Sequence, residues 1–321
     1  MNFHGTLVGI VGPTASGKTS VGIELAVMIG GEIVSADSMA VYLGMDIGTA
    51  KPSREEQDRV RFHLIDVFPP EVEFSVAEFK RLAEEAIDDI SGRGKAPILV
   101  GGTGLYVKAL TGGLNIPVAE PDRDFRERLK AEAAEFGNER LLERLRLVDV
   151  ATAERLHPND LGRIIRALEV HALTGTPISK LHETAGRSSI GYEVRLFGLS
   201  MSRATLYERI ERRIDEQMAA GLIEEVAELI RRGCDERLPS MKALGYKQIA
   251  GYLRGEYDLQ TCVDMFKRDT RRFAKRQLTW FRAEPDICWI DVEGRDSADV
   301  AAEISGMLPH KTPMSGEGRD L

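Results

Sequence analysis

The chain has 321 residues, 43% of them apolar and 29% charged, and a formal net charge of −8. This length and apolar content predict a substantial core, organised as two domains or as one domain with a large insertion. No apolar run approaches the roughly 20 residues that span a bilayer, and residues 1–6 carry no export signal. The negative charge argues weakly against a protein that is coated in nucleic acid, so we expect any polyanion to bind a local basic surface.

The cysteines and the absence of a coiled-coil pattern set further expectations. Cys234, Cys262 and Cys288 lie far apart and show neither a CxxC pair nor a Cys/His spacing. This disfavours a disulfide scaffold and structural zinc, and it favours a reducing cytoplasm. No segment has a coiled-coil pattern, so we expect a cytoplasmic monomer without an obligate protein partner.

The first motif follows the apolar run at residues 7–11. It has the spacing GxxxxGK[ST], in which glycines let backbone N–H groups surround an anion and the next helix offers its positive end. Lys18 adds a point charge, and the Thr19 hydroxyl can ligate Mg²⁺. A merely structural glycine turn is the alternative. We predict a strand, a helix and, between them, a diphosphate- or triphosphate-binding loop formed by Gly12, Pro13, Thr14, Ala15, Ser16, Gly17, Lys18 and Thr19.

A second strand is predicted over residues 31–37, ending in the carboxylate of Asp37. The carboxyl ends of parallel strands meet at the ligand crevice, so Asp37 should lie near the phosphate loop. Alternatively, Asp37 caps the next turn at Ser38. Residues 44–52 have the glycines and proline of an ordered loop, and a strand at 63–67 makes Asp66 the second candidate for a metal-side carboxylate.

The middle of the chain changes from an α/β pattern to a helical one. A helix over 74–91 and a buried strand over 97–100 lead into a glycine-rich turn, where Thr103 either caps the next helix or points its hydroxyl into the crevice. From about 117 to 187 strand signals vanish, and an all-helical insertion is predicted. Its helical patterns cover 122–136, 138–148, 152–157 and 159–173.

The α/β pattern resumes with a strand over 194–201 and a helix capped by Ser202. On that helix Arg209 and Arg213 form an i,i+4 pair that can hold a diphosphate between two guanidinium groups. Further helical stretches cover 223–232 and 241–253, a final strand covers 287–290, and 309–321 is predicted to be a disordered tail.

The last long helix, over 259–283, is the most basic part of the chain. Phe266, Phe273 and Trp280 recur every seven residues and predict a core seam. Cations at three- and four-residue steps predict a stripe that can follow a nucleic-acid backbone, although many charged helices are only solvated. These cations are Arg268, Arg271, Arg272, Lys275 and Arg276.

Residue patterns alone favour a group-transfer enzyme of kinase size. A motor or GTPase would add a strand ending in an aspartate for the metal, whereas the strand at 97–100 ends in glycines. Several matching segments together give a closer resemblance, to the tRNA dimethylallyltransferase (tRNA isopentenyltransferase) family. They are the phosphate loop, Asp37-Ser38-Met39-Ala40-Val41-Tyr42, the loop 44–52, the turn 101–106, Ala243-Leu244-Gly245-Tyr246-Lys247-Gln248 and Lys275-Arg276-Gln277-Leu278-Thr279-Trp280-Phe281.

The sequence departs from the family pattern at two places. Ala40 stands where a Gln is common, and Leu161-Gly162 stands where Pro-Gln is common within an Asn-Asp-Pro-Gln-Arg run. The fold and the reaction should survive both departures, but the contacts of Ala40 and Leu161-Gly162 with the anticodon loop are in doubt.

The resemblance implies that the dimethylallyl group of dimethylallyl diphosphate is transferred to N6 of the adenosine 3′-adjacent to the tRNA anticodon, adenosine-37, releasing diphosphate. It also implies a phosphate-loop α/β core, a parallel sheet flanked by helices, at 1–116 and 191–308. The helical insertion at 117–190 would bind the anticodon arm.

Roles for individual residues follow from the implied reaction. Asp37 would accept the proton of N6, while Lys18, Thr103, Arg209 or Arg213, and Mg²⁺ held through Thr19 would stabilise the leaving diphosphate. The predicted tRNA-binding residues are Asp37, Ser38, Met39, Ala40, Thr103, Arg126, Arg163, Lys242, Gly245, Tyr246, Lys247, Arg271, Arg272, Lys275 and Arg276.

Three alternatives remain open. A small-molecule kinase would use Lys18 and Thr19 for ATP, and an isopentenyltransferase acting on free adenine nucleotides would need no grip on tRNA. The helical insertion and the basic terminal helix favour tRNA over both. A non-enzymatic RNA-binding module is disfavoured by the intact phosphate loop.

Overall fold

The computed structural model describes residues 5–112, 122–184 and 191–309. Their contacts divide the chain into two units. The sheet unit comprises Met1–Val107 and Gly191–Leu321, and the helical unit comprises Lys108–Ile190. This division begins at Lys108, ahead of the predicted insertion start at 117. The predicted tail, residue 309 apart, lies outside the described residues.

The sheet unit is built on six strands, and all six strands that the structure describes run parallel. The apolar runs of β1 and β4 are buried along their whole length, as expected of a parallel sheet covered on both faces. The predicted α/β class is therefore confirmed. The strands are β1 (Thr6–Val11), β2 (Gly31–Ser35), β3 (Phe62–His63), β4 (Ala96–Gly101), β5 (Glu193–Ser200) and β6 (Ile287–Asp291), in the order β3-β2-β4-β1-β5-β6.

Helices connect and cover these strands. Several begin at a side chain that accepts a backbone N–H: Ser75 caps α3, Ser202 caps α10 and Asp258 caps α13. The helices outside the insertion are α1 (Lys18–Ile29), α2 (Arg54–Arg59), α3 (Val76–Gly92), α4 (Gly104–Leu110), α10 (Arg203–Ala219), α11 (Leu222–Arg231), α12 (Tyr246–Leu253), α13 (Leu259–Arg282) and α14 (Ser297–Gly306).

Two hydrophobic clusters organise the sheet unit. In the first, α1 and α14 pack on the strands around Ile10 and Ile98. In the second, α10, α11, α12 and α13 pack together with Val41, Tyr42 and Met45 from the segment that follows β2. The second cluster therefore packs α10, which carries Arg209 and Arg213, and the helices α11, α12 and α13 against the segment that begins near Asp37. Among the described residues, no helix is both long and apolar enough to cross a membrane.

Several predicted elements were wrong in extent. The strand expected over 63–67 is only Phe62–His63, because Leu64 (φ 64°) and Asp66 (φ 55°) adopt left-handed conformations that turn the chain. The second strand ends at Ser35, two residues before Asp37. Helices α2 and α14 were not predicted.

The core seam of α13 also differs from the prediction. An α-helix repeats every 3.6 residues, so a strict seven-residue spacing drifts around it. Phe266 is buried, but Phe273 and Trp280 are only half-buried beside the seam. The buried residues are Cys262, Phe266, Thr270, Ala274, Gln277 and Phe281.

In the helical unit, the described residues form helices around one small apolar core that includes Leu129, Leu145 and Ile164. The helix expected over 152–157 is instead Val150–Ala153, and α9 was not predicted. The helices are α5 (Arg123–Phe136), α6 (Asn138–Val148), α7 (Val150–Ala153), α8 (Leu161–Thr174) and α9 (Ile178–Thr184).

Glu32, near the start of β2, sits in a buried ion cluster. It is 2% exposed and accepts bonds from Arg93 (2.6 and 2.7 Å) and Lys95 (2.8 Å), with His63 2.8 Å away. The Arg93 hydrogen bonds, assisted by Lys95 and His63, hold the pKa of Glu32 well below its usual range in spite of its burial. We expect Glu32→Gln to lower the free energy of unfolding at pH 7 by about 3 kcal/mol, as measured by urea denaturation.

The contribution of Glu32 to stability should depend on pH. A carboxylate with a depressed folded pKa stabilises the protein above its unfolded pKa of 4.5, and this contribution is lost as the pH falls towards the folded pKa. The difference between wild type and Glu32→Gln should therefore shrink in acid. Glu84→Gln is the control, because its partner Lys80 is 3.8 Å away and both are partly exposed; it should cost less than about 1 kcal/mol. Equal losses in the two variants would contradict the prediction.

Candidate active site

The phosphate loop between β1 and α1 has the strained backbone that an anion cradle needs. Gly12, Ala15 and Gly17 have φ values of 146°, 63° and 89°, and Ala15 is the one without the freedom of glycine. Lys18 folds back over the loop, and its Nζ donates to the Pro13 carbonyl at 2.6 Å. The predicted strand, loop and helix are all present.

Two arginines of α10 reach this loop. Arg213 Nη1 lies 3.5 Å from Thr14 Oγ1, and a Cβ at Gly17 would lie 4.0 Å from Arg209 Nη1. Burial, with a smaller contribution from the nearby Arg213, lowers the pKa of Lys18 to about 7, although Asp37 acts in the opposite direction. Burial also lowers the pKa of Arg213. The loop is therefore a strongly cationic site whose charges have been partly removed from water.

Asp37 follows β2 and faces these cations. Its Oδ1 accepts the N–H groups of Met39 (2.8 Å) and Ala40 (3.3 Å), which is the turn-capping role considered as its alternative. Within the described residues, Oδ2 accepts no hydrogen bond. One oxygen thus fixes the carboxylate while the other remains available to a ligand, and the structural and functional roles coexist.

Thr103 connects the turn after β4 with the turn after β2. Its Oγ1 accepts the Ser38 N–H at 3.2 Å, and its own N–H donates to the Ala36 carbonyl at 3.2 Å. The strands approach so closely that a Cβ at Gly101 would lie 2.2 Å from the Ala36 oxygen. The glycine turn thus brings Thr103 next to the Asp37 turn.

A cavity of about 420 Å³ joins these parts within the sheet unit. Polar and charged residues line it together with apolar residues that include Ile214, Leu244 and Phe273. Arg209 lines an adjoining cavity of about 300 Å³ that shares Lys18, Thr19 and Arg213. The predicted site residues that line the larger cavity are Thr14, Ala15, Lys18, Thr19, Asp37, Ser38, Met39, Ala40, Thr103, Arg213, Lys242, Tyr246, Lys247 and Arg276.

Other predicted positions lie apart from the cavity wall. Asp66 makes a 2.5 Å ion pair with Lys51 instead of facing the phosphate loop. The described residues contain no group of three or more His, Cys, Asp or Glu side chains able to hold a metal.

Tyr246, a predicted RNA contact that lines the cavity, also has a structural role. Its side chain is 0% exposed, and its hydroxyl donates to Glu225 at 2.6 Å. Glu225 also accepts the N–H groups of Asp46 (2.9 Å), Ile47 (2.8 Å) and Gly48 (3.2 Å). Tyr246 therefore anchors the loop 44–52, which contributes to the cavity wall.

This anchoring predicts a local change in dynamics. Glu225→Gln leaves only one acceptor oxygen for the N–H groups of residues 46–48. The N–H groups that lose their acceptor should destabilise the loop by about 1–3 kcal/mol. Amide exchange at 46–48 should then accelerate about tenfold or more. Tyr246→Phe, which removes only one of the four bonds, should cause a smaller increase. Unchanged exchange in Glu225→Gln would contradict the anchoring role.

The predicted cation stripe of α13 divides into two parts. Arg271 pairs with Glu211 at 2.5 Å, and Arg268 pairs with Asp269 at 3.0 Å. By contrast, Arg276 reaches the cavity. Lys275 is exposed, and no described residue forms an ion pair with it. The pair between Arg272 and Asp269 is long, at 3.7 Å, and the Arg272 side chain is largely exposed to water.

The helical unit holds the remaining predicted contacts. Arg126 makes two bonds, at 2.7 and 2.9 Å, to the fully buried carboxylate of Glu169, to which Arg166 also donates at 2.6 Å. Arg126 is thus a structural ion-pair partner, with part of its side chain exposed. Arg163 is exposed on α8, and the departure Leu161-Gly162 forms the first turn of that helix.

Sequence reasoning missed one residue at the centre of the site. Gln277, on α13, accepts the Thr14 N–H at 2.8 Å and donates to the Gly102 carbonyl at 2.9 Å. Its buried position on the α13 seam was hidden by the assumed seven-residue spacing. The segment 275–281, which carries part of the family resemblance, was the available signal.

Comparisons with known proteins show the family to which this chain is similar. The family model described as IPP transferase matches residues 40–284. A tRNA dimethylallyltransferase from Desulforudis audaxviator is 53% identical, covering 94% of this chain and 97% of the relative. The solved tRNA isopentenylpyrophosphate transferase from Bacillus halodurans is 43% identical, with a TM-score of 0.69 and coverage of 94% and 96%.

A more distant structure supports the fold alone. It is described as a eukaryotic dimethylallyltransferase acting on tRNA and is 24% identical. Its TM-score is 0.80, covering 96% of this chain and 81% of its own.

Proposed function

Because this chain belongs to the IPP transferase family, we propose that it transfers the dimethylallyl group of dimethylallyl diphosphate to N6 of the adenosine 3′-adjacent to the anticodon in tRNA. Diphosphate is the second product. One observation carries the proposal: Asp37, Lys18 and Thr19 line the same cavity. A proton acceptor and an anion cradle thus face one space.

The reaction needs a base for N6 and cations for the leaving diphosphate. The N6 lone pair of adenine is delocalised into the ring, so N6 attacks well only if a base takes its proton as the C–N bond forms. The free Oδ2 of Asp37 is suited to that task. As the C–O bond to diphosphate breaks, Lys18, Arg213 and Arg209 stabilise the growing negative charge.

The donor set at Thr19 fits a magnesium ion that binds together with the diphosphate. Mg²⁺ prefers hard oxygen ligands and commonly combines one or two protein groups with phosphates and waters. The Thr19 hydroxyl would hold the ion, whose role would be to neutralise charge on the diphosphate. The apolar residues of the cavity lining, including Ile214 and Phe273, suit the prenyl chain.

The target adenosine must unstack from its neighbours in the anticodon loop, so that its N6 can enter the cavity. Lys242 and Lys247 are exposed where they border the cavity, and Lys275 lies one residue before Arg276 on α13. These cations, together with Arg163 of the helical unit, are proposed to bind the backbone of the anticodon stem-loop. The reaction is placed in the cytoplasm, and the enzyme is proposed to act as a monomer.

The test incubates the protein with labelled dimethylallyl diphosphate and unmodified tRNA, with free AMP in parallel. The proposal predicts label in tRNA at the adenosine next to the anticodon and little in AMP. Label entering AMP equally well would favour a transferase that acts on free nucleotides. Phosphate transfer from ATP, without prenyl transfer, would favour a kinase.

A further inference from the structure

We propose that Gln277 is a positioning residue that holds the phosphate loop in its anion-binding shape by bridging it to the glycine turn after β4. This inference rests on the proposed function, in which that loop receives the diphosphate of the donor. The amide is 8% exposed, and both of its polar atoms are used. Both bonds join parts of the protein, the Thr14 N–H of the loop and the Gly102 carbonyl of the turn, so we infer that its effect on the reaction passes through these two segments.

The first bond acts on a strained part of the loop. Gln277 Oε1 accepts the N–H of Thr14, and the next residue, Ala15, has a φ of 63°. A non-glycine residue in this conformation costs about 1–3 kcal/mol and persists only where its surroundings enforce it. The Thr14 bond from one side and the Lys18–Pro13 bond from the other supply that enforcement.

The bond also determines which donors remain for the ligand. Because the Thr14 N–H is committed to Gln277, it is removed from the set that can face a phosphate. The anion must then be received by the later N–H groups of the loop and by Lys18. Gln277 therefore fixes both the shape of the cradle and the part of it that is used.

The second bond extends the effect to the base. Gln277 Nε2 donates to the Gly102 carbonyl, and Gly102 immediately precedes Thr103, whose hydroxyl holds the Ser38 N–H beside Asp37. One amide thus links the phosphate loop to the turn that supports the carboxylate. Loss of Gln277 should weaken diphosphate binding first and, through Thr103, disturb the alignment of donor and base.

Gly102 offers an independent way to displace the amide. A Cβ at Gly102 would lie 2.3 Å from Gln277 Nε2 and 3.2 Å from the Gly12 oxygen. The φ of Gly102 is not positive, so the backbone itself tolerates alanine. Gly102→Ala should therefore act mainly by pushing the Gln277 amide away from the loop.

The experiment measures binding of inorganic diphosphate with Mg²⁺ by calorimetry, binding of tRNA, and the KM values for both substrates. In Gln277→Met, diphosphate affinity should fall at least tenfold and the donor KM should rise similarly. The tRNA affinity and tRNA KM should stay within about twofold. Gln260→Met, an exposed change on the same helix, should match wild type. A parallel loss of both affinities, or diphosphate binding equal to wild type, would overturn the proposal.

A double-mutant cycle keeps the test decisive if Gln277→Met folds poorly. Gly102→Ala should weaken diphosphate binding at least tenfold in the wild-type background. In a Gln277→Ala background its effect should be at least threefold smaller, because only the Gly12 oxygen, 3.2 Å away, then crowds the methyl group. Equal effects in both backgrounds would overturn the proposal.

The readout separates this inference from the proposed function. Diphosphate binding involves neither a prenyl group nor RNA. A wild-type protein that binds diphosphate without prenylating tRNA would refute the proposed function and leave the role of Gln277 standing. A wild-type protein that prenylates tRNA, while Gln277→Met binds diphosphate normally, would refute only the role of Gln277.

Discussion

Asp37→Asn is expected to lower single-turnover transfer of the dimethylallyl group to tRNA by about 10²–10⁴-fold, the usual contribution of a general base. The asparagine Oδ1 can still accept the N–H groups of Met39 and Ala40, so the turn after β2 should remain folded. Only the proton-accepting carboxylate is lost. Single-turnover kinetics with enzyme in excess over tRNA provide the measurement.

The matched control for this change is Asp258→Asn. Asp258 also caps a turn of backbone, accepting the Thr261 N–H at the start of α13, but it is not part of the cavity wall. The control should react at the wild-type rate. If Asp37→Asn binds tRNA and reacts at the wild-type rate as well, Asp37 is not the base.

Lys18→Met is expected to have the second large effect. Removing a cation that faces the leaving diphosphate should lower turnover by about 10²–10³-fold, as measured for single donors in comparable charge-stabilising sites. Steady-state assays with saturating tRNA and varied donor would show a lower kcat and weaker donor binding. Lys108→Met is the control, because Lys108 lines neither the larger cavity nor the adjoining one. Equal kinetics for the Lys18 and Lys108 variants would contradict the assignment.

The Lys18→Met variant should be less active but more stable than the wild-type protein at pH 7. The pKa of Lys18 is about 7 in the folded protein against 10.5 for the free side chain. Between these values the unfolded chain binds more protons, so stability rises with pH. Below about pH 7 the folded state carries the full cost of a buried charge. Lys18→Met should therefore unfold at a higher temperature than wild type at pH 7, with the difference shrinking towards pH 10.5.

The sequence predicts the parts of the site that depend on local patterns, such as a motif or the spacing of residues on one helix. GxxxxGK[ST] specifies the loop by its own spacing, and the position of Asp37 follows from the geometry of parallel strands, although its strand ends two residues early. The i,i+4 spacing placed Arg209 and Arg213 near one ligand, and the structure brings both to the loop.

Long-range contacts explain what could not be predicted. Gln277 meets Thr14 across 263 residues of sequence, and Tyr246 meets Glu225 across an interhelical contact. No local pattern marks either pair. Arg126 stays a predicted RNA contact, but its bonds to the buried carboxylate of Glu169, which join α5 to α8, have no local signal in the sequence.

Local backbone conformation accounts for the wrong strand at 63–67. Its residues have the apolar character of a strand, but Leu64 and Asp66 adopt positive φ values. Lys51 binds both Asp66 and Asp46, which lie 15 and 5 residues away in sequence. These tertiary contacts hold a turn where the side-chain pattern alone predicts extension.

The central claim is that an anion cradle and a proton acceptor face one nucleobase. A crystal structure of the protein with diphosphate, Mg²⁺ and an unmodified anticodon stem-loop tests it most directly. We predict diphosphate against Lys18 and Thr19, with the target adenine in the cavity and its N6 within hydrogen-bonding distance of Asp37 Oδ2. An adenine seated elsewhere, or diphosphate bound away from the loop, would contradict the claim.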